Sequence, residues 1–195
     1  AKCLLYSVDF HEIEACQARG DWERSADILS EAALSLERGG ADFIIICTNT
    51  MHKVFDRIQE RVSIPILHIA EVTADELAEN GIDTVGLLGT KYTMEQNFYK
   101  EKLIERGIKV IVPGEADRER VNETIYRELC LGIVSDDSRK EFLRIIDGLT
   151  EGGAQGVILG CTEIGLLVSQ KDTGAKLFDT AEIHGKRAAL YSIGK

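Results

Sequence analysis

Two stretches of this chain end the same phrase on side chains that can do chemistry. Residues 39–51 read GGADFIIICTNTM and residues 152–164 read GGAQGVILGCTEI. With the Gly-Gly-Ala triplets superposed, Thr48 falls opposite Cys161, Asn49 opposite Thr162 and Thr50 opposite Glu163. A thiol and a second hydrogen-bonding side chain on opposite faces of one substrate carbon suit proton abstraction on one side and donation on the other. Cysteine fits that task because its ordinary pKa, about 8.5, can be lowered into the working range by local amides. Threonine is a very weak acid and a poor base unless another group polarises it. Taken singly, Thr48 also fits a helix N-cap and Cys161 a packed strand-end thiol; their equivalence under the repeat favours chemistry.

The elements that must position these residues follow from the hydrophobic pattern. Short runs rich in Val, Ile and Leu alternate with stretches of helical periodicity, which predicts an α/β fold of parallel strands covered by helices. The pattern places strands at residues 3–8, 43–47, 66–68, 84–88, 109–112, 157–159 and 177–178. Helices fit 24–37, a stretch after Met51, then 74–79, 94–106, 118–131, 138–149 and 182–192, with Thr93 and Ser138 suited to cap two of them. The repeat continues past the motifs: IPILHIAE ends at Glu71 and AKLFDTAE at Glu182, at similar distances from their Gly-Gly-Ala triplets. Two pseudo-symmetric lobes with a cleft between them are expected, the first from 1–80 plus the C-terminal segment 182–195, the second from 81–181. Each motif then sits at the C-terminal end of a buried parallel strand, where open α/β sheets bind ligands, and runs into a helix whose amides can cradle a carboxylate. The first half lacks a counterpart of the strand at 84–88 and its helix, so a chain shortened at its N-terminus is expected.

Composition bounds the partners. The chain has 195 residues, 44% of them hydrophobic, and a net charge of -10, with no lysine or arginine run longer than two residues. That excludes the electrostatic footprint of a nucleic-acid binder. No apolar run reaches the length of a membrane span and no secretory signal pattern opens the sequence, so a cytoplasmic location is the default expectation. Five cysteines without metal-site spacing indicate neither a disulfide framework nor a zinc site, and Cys3, Cys47 and Cys130 are expected to be small buried hydrophobes. Several further residues invite weighing. Gln17 could contact a substrate side-chain carboxylate at the cleft mouth or be an exposed helix-end residue. His52 and Lys53 could add positive charge or be solvated, and His184 could neighbour the thiol but fits a structural histidine better. GLLGT at 86–90 lacks a phosphate-loop pattern and brings Thr90 and Tyr92 near the cleft.

At TNT (48–50) and GCTE (160–163) the chain resembles the aspartate/glutamate racemase superfamily, whose lobes carry Cys-Asn-Thr and Gly-Cys-Thr. SVDFHEIE, CTNTMHK, LLGTKYTMEQNFY and GCTEIGLLV look closer still to the bacterial L-aspartate/glutamate-specific racemases, in which threonine replaces the first cysteine. Glu163 is in the aspartate racemase style, since glutamate racemases usually have histidine there. The family's Gly-Gly-Met-Ser pattern has no match here. The resemblance implies two pseudo-symmetric α/β lobes and cofactor-independent racemisation of aspartate or glutamate with preference for the L-isomer. Cys161 and Thr48 would be catalytic; Asn49, Thr50 and Thr162 would hold the substrate carboxylate and ammonium, and Glu163 would orient the amino group. A homodimer is implied too, with a small amino acid as the sole ligand and no pyridoxal phosphate. A related isomerase or decarboxylase of a small dicarboxylate, or an amino-acid-binding protein without catalysis, also fits these residues.

Overall fold

The computed structural model describes residues 2–194. In chain order these form α1 (Phe10–Arg19), α2 (Trp22–Arg38), β1 (Ile44–Ile45), a 3-10 turn (Thr50–Val54), α3 (Phe55–Gln59), β2 (Ile66–Leu67), α4 (Ile69–Glu79), β3 (Thr84–Gly89), α5 (Lys91–Glu95) and α6 (Asn97–Ile104). There follow β4 (Lys109–Ile111), α7 (Glu115–Arg127), a 3-10 turn (Leu129–Leu131), α8 (Asp136–Glu151), β5 (Val157–Gly160), α9 (Ile164–Leu167), β6 (Leu177–Asp179) and α10 (Thr180–Ser192). The architecture is the α/β fold expected, with two parallel sheets flanked by helices. The first sheet pairs β1 with β2; the second runs β4-β3-β5-β6.

Each sheet is buried by helices whose apolar faces set its position. Phe142, Ile145, Ile146 and Leu149 of α8 join Leu88 and Val157 in one cluster on the second sheet. On the other face, Ile69, Ala70, Ala74 and Leu77 of α4 pack with Val85, Leu87, Ile158 and Phe178, together with Ile183 of α10. A third cluster covers the first sheet, with Ala26 and Ala33 of α2 against Ile44, Ile58 and Ile66. β5 and β3 approach so closely at their C-terminal ends that a Cβ on Gly160 would stand 2.6 Å from the Leu88 carbonyl oxygen. Only glycine fits there, and the next residue is Cys161.

The structure corrects several expectations. Residues 3–8 form no strand. In the second sheet, β4 is held by β3; among the described residues the first sheet has no equivalent of β3, so residues 3–8 have no ladder to join. Cys3 and Cys47, expected to be buried, are exposed beside this open edge. Phe10–Arg19 is a helix that the apolar pattern does not announce, with a weakly segregated face and Asp9 as its cap. The helix expected at 94–106 breaks at Gln96, whose extended backbone (φ -86°, ψ 161°) separates α5 from α6. Thr90 rather than Thr93 caps α5, and Ser135 rather than Ser138 caps α8.

Candidate functional site

Cys161 follows β5 directly and is half-buried, as are Thr162 and Glu163. The thiol donates to Oε2 of Glu163 at 2.9 Å, and the Thr162 hydroxyl donates to the same oxygen at 2.9 Å. Two donors on one oxygen suit an ionised carboxylate. Burial above all, then the Glu163 charge and this hydrogen bond, push the Cys161 thiol well above its ordinary range. The expectation that amides lower it is therefore reversed in this state. The second motif also runs into a single turn, Ile164–Leu167, rather than a full helix, so no extended row of amides faces a ligand there.

The first motif enters a 3-10 turn that continues into α3. Thr48 is half-buried and does not cap it; Asn49 holds the cap position without a side-chain cap bond. Asn49 and Thr50 are buried. Both reach across to the second sheet: Thr50 Oγ1 lies 3.1 Å from Thr90 Oγ1 at the end of β3, and Asn49 Nδ2 donates to Thr180 Oγ1 at 3.0 Å. Thr180 Oγ1 in turn donates to the Leu159 carbonyl at 2.9 Å, two residues before Cys161. A chain of hydrogen bonds thus joins the two motifs. Asn49 Oδ1 is buried with no partner among the described residues, an acceptor left open beside this junction.

Gln17, on α1, is buried rather than an exposed helix end. Its Nε2 rests against Met51 Sδ at 3.0 Å, Tyr92 donates to its carbonyl oxygen at 3.1 Å, and Tyr126 donates to its Oε1 at 3.4 Å. Gln17, Tyr92 and Tyr126 line a cavity of ≈ 300 Å³ with Glu14, Lys91, Glu95, Gln96 and Asn122. Neither Thr48 nor Cys161 lines that cavity; Tyr126 borders both it and the surroundings of Cys161. Lys53 is not solvated as a first-turn pair: its ammonium sits 3.9 Å over the Trp22 ring and donates to Gln96 Oε1 at 2.6 Å.

Three buried histidines lie behind the first motif, a feature that the sequence signals only as isolated histidines far apart. His52 has ring centroids 4.6 Å from His68 and 6.0 Å from His184. Burial lowers all three, His68 to about 4, so none carries charge at neutral pH. His184 is structural, bonded through Nε2 to the Leu67 carbonyl at 2.9 Å. Among the described residues, no group of three or more His, Cys, Asp or Glu side chains is arranged to hold a metal ion. No helix of the described residues is long and apolar enough to cross a membrane.

Fold and site together define a pseudo-symmetric α/β protein in which a hydroxyl motif from one half is tied by hydrogen bonds to Thr90 and Thr180 at the sheet that carries the thiol and carboxylate motif. Residues 3–188 match the Asp/Glu/hydantoin racemase family model, and the chain belongs to that family. It is 54% identical to a Yersinia pestis protein whose proposed assignment is Asp/Glu racemase, with a TM-score of 0.90 over 97% of this chain and 83% of that one. An aspartate racemase homologue from Pyrococcus horikoshii superposes with a TM-score of 0.84 at 38% identity, over 97% of this chain and 82% of that one. The broad specificity amino-acid racemase of Bacillus subtilis is 34% identical over 47% of this chain, a match that spans 40% of that relative's length.

Proposed function

We propose that the chain racemises a small α-amino acid, aspartate or glutamate foremost, without a cofactor. The Cα proton moves between Cys161 on one face and the side occupied by Thr48 on the other. The observation that carries this reading is the bond from the Cys161 thiol to the Glu163 carboxylate. At rest the proton is on sulfur, so Cys161 is poised to donate. To act as the base, the thiol passes its proton to Glu163 Oε2 and the thiolate takes the Cα proton. The carbanion is then protonated on its other face by the Thr48 hydroxyl, and the Glu163 proton returns through solvent to the Thr48 oxygen; the opposite direction runs these steps in reverse. Glu163 thereby serves the thiol rather than the substrate amino group alone.

The open Asn49 Oδ1 supports a role in accepting a hydrogen bond from the substrate ammonium, with the Thr50 and Thr162 hydroxyls near the carboxylate. Gln17, buried against Tyr92 and Tyr126, is suited to the substrate's distal carboxylate. Threonine is the weaker partner of the two, so the two directions are unequal; preference for the L-isomer is what the resemblance to the L-aspartate/glutamate-specific racemases adds to this reading. A homodimer belongs to the same reading; exposed Leu131, Ile133 and Leu166 offer it apolar surface.

Proton NMR in D2O with L-aspartate and L-glutamate, run beside chiral chromatography and a Cys161→Ala control, tests this. Loss of the Cα proton with appearance of the D-isomer, both dependent on Cys161, is the expected result. Exchange with retained configuration would leave a one-base enzyme, and binding without exchange would leave an amino-acid-binding protein; either sinks the racemase reading.

A further inference from the structure

Thr48 is held from behind. Nδ1 of His52 lies 2.8 Å from the Thr48 carbonyl oxygen, and Nε2 of the same ring accepts from the Ile69 amide at 3.1 Å. A carbonyl only accepts and an amide N–H only donates, so the ring carries its proton on Nδ1 and a lone pair on Nε2. One neutral imidazole in one tautomer therefore ties the first motif to the first turn of α4. The ring is 3% exposed and is enclosed by Phe55, His68 and His184. His68 is committed similarly, its Nδ1 accepting from the Ala70 amide at 3.1 Å. The charged groups facing this cluster are Asp56 of α3, Glu71 of α4 and Lys102 of α6, all acting on His68. A second proton on His52 would set one N–H against the Ile69 N–H, with no acceptor for either.

We propose that His52 is a positioning residue for the Thr48 face of the reaction centre, fixing the loop from Thr48 to Thr50 only while its ring is neutral. The inference rests on the reading of Thr48 as part of that centre. The loop's other ties run forward, from Asn49 to Thr180 and from Thr50 to Thr90. The His52 clamp is the side-chain bond that holds the Thr48 backbone itself.

Two substitutions separate the ring's two nitrogens. His52→Asn puts an amide NH2 where Nδ1–H stands and keeps the bond to Thr48; His52→Gln puts an amide oxygen where Nε2 stands and keeps only the bond from Ile69. A displacement near 1 Å at a reacting group costs up to about 100-fold. The expected result is a kcat for His52→Gln at least about tenfold below that of His52→Asn, with KM moving less. Both variants also lose the part of the acid limb of the kcat profile that the ring sets. Equal losses in the two variants, or an acid limb unchanged in both, overturn the proposal.

A second readout does not depend on turnover. In protein labelled at threonine methyl groups, the Thr48 signal shifts in His52→Gln and keeps its place in His52→Asn. If that pattern holds while the parent protein shows no racemisation, the functional reading fails and the positioning role stands. An unmoved Thr48 methyl in both variants removes the role whatever the activity.

Discussion

The Cys161 thiol is protonated at neutral pH because sulfur is desolvated and faces a carboxylate. That sets the sign of the pH dependence. A raised thiol pKa means the thiolate fraction grows with pH, about tenfold per unit below the pKa. Proton abstraction from the substrate isomer that faces Cys161 should therefore accelerate as pH rises through neutrality, as a D2O exchange profile would record. Glu163→Gln removes the charge that ranks second to burial among the causes. The alkaline limb should then move to lower pH, while the rate below it falls by roughly 100-fold for want of a proton acceptor. A limb that stays in place would show that Glu163 does not couple to the thiol. GCTE marks Cys161 and Glu163 as candidates, but the direction of the thiol shift is not legible there. Burial and the aim of one carboxylate oxygen arise from the fold around β5, and neither leaves a mark on residue spacing.

At the level of elements, position is set by close approach as much as by hydrogen bonds. β5 delivers Cys161, and Gly160 lets it pass within contact of β3, whose Gly89 is equally crowded, a Cβ there standing 2.9 Å from the Gly160 carbonyl oxygen. Gly160→Ala would force the strands apart at backbone atoms that cannot yield cheaply. A loss of about 1–3 kcal/mol in urea denaturation is expected, with a larger fall in activity than in stability because the displaced residue adjoins the thiol. Wild-type activity in the variant would show that the strand ends have slack. The strands β3, β5 and β6 were readable as apolar runs because both faces of the second sheet are covered. Residues 3–8 looked the same on paper and are not a strand. Apolar content reports what a segment can bury, whereas a ladder needs a neighbour, and that is a property of another part of the chain. The break at Gln96 was hidden for a different reason, since its polar side chain answers Lys53 across the molecule rather than any local turn preference.

On the scale of the whole molecule, the three imidazoles join parts remote in sequence: the Thr48 loop, the start of α4, and α10 against the Leu67 carbonyl. Burial keeps each neutral, and in the unfolded chain each titrates near 6.5. Because the folded values are lowered, the unfolded state binds more protons in the window between. Their contribution is complete above pH 6.5 and drains away as pH falls towards about 4, where His68 titrates in the folded protein. His68 alone accounts for roughly 3 kcal/mol over that range. Urea midpoints should fall steeply from pH 7 to pH 4, and replacing His68 by Gln should flatten the fall; a flat profile in the parent would contradict neutral burial. The repeated Gly-Gly-Ala phrase made two parallel sheets and their motifs visible beforehand. The cluster was not visible, since nothing in one dimension says that positions 52, 68 and 184 share an interior.

The bridge from Asn49 through Thr180 to the Leu159 carbonyl has a bearing on ancestry. Each half of the chain keeps its own signature, yet the half that bears the hydroxyl motif is anchored by a hydroxyl that the other half supplies. Two halves fastened in this way are not interchangeable modules. A chimera that grafted residues 1–80 onto the second half of a distant relative could preserve both signatures and still lose the join, unless its counterpart of Thr180 kept a side chain able to accept from Asn49 and donate onward. Substitutions at positions 49 and 180 are therefore expected to be inherited as a pair.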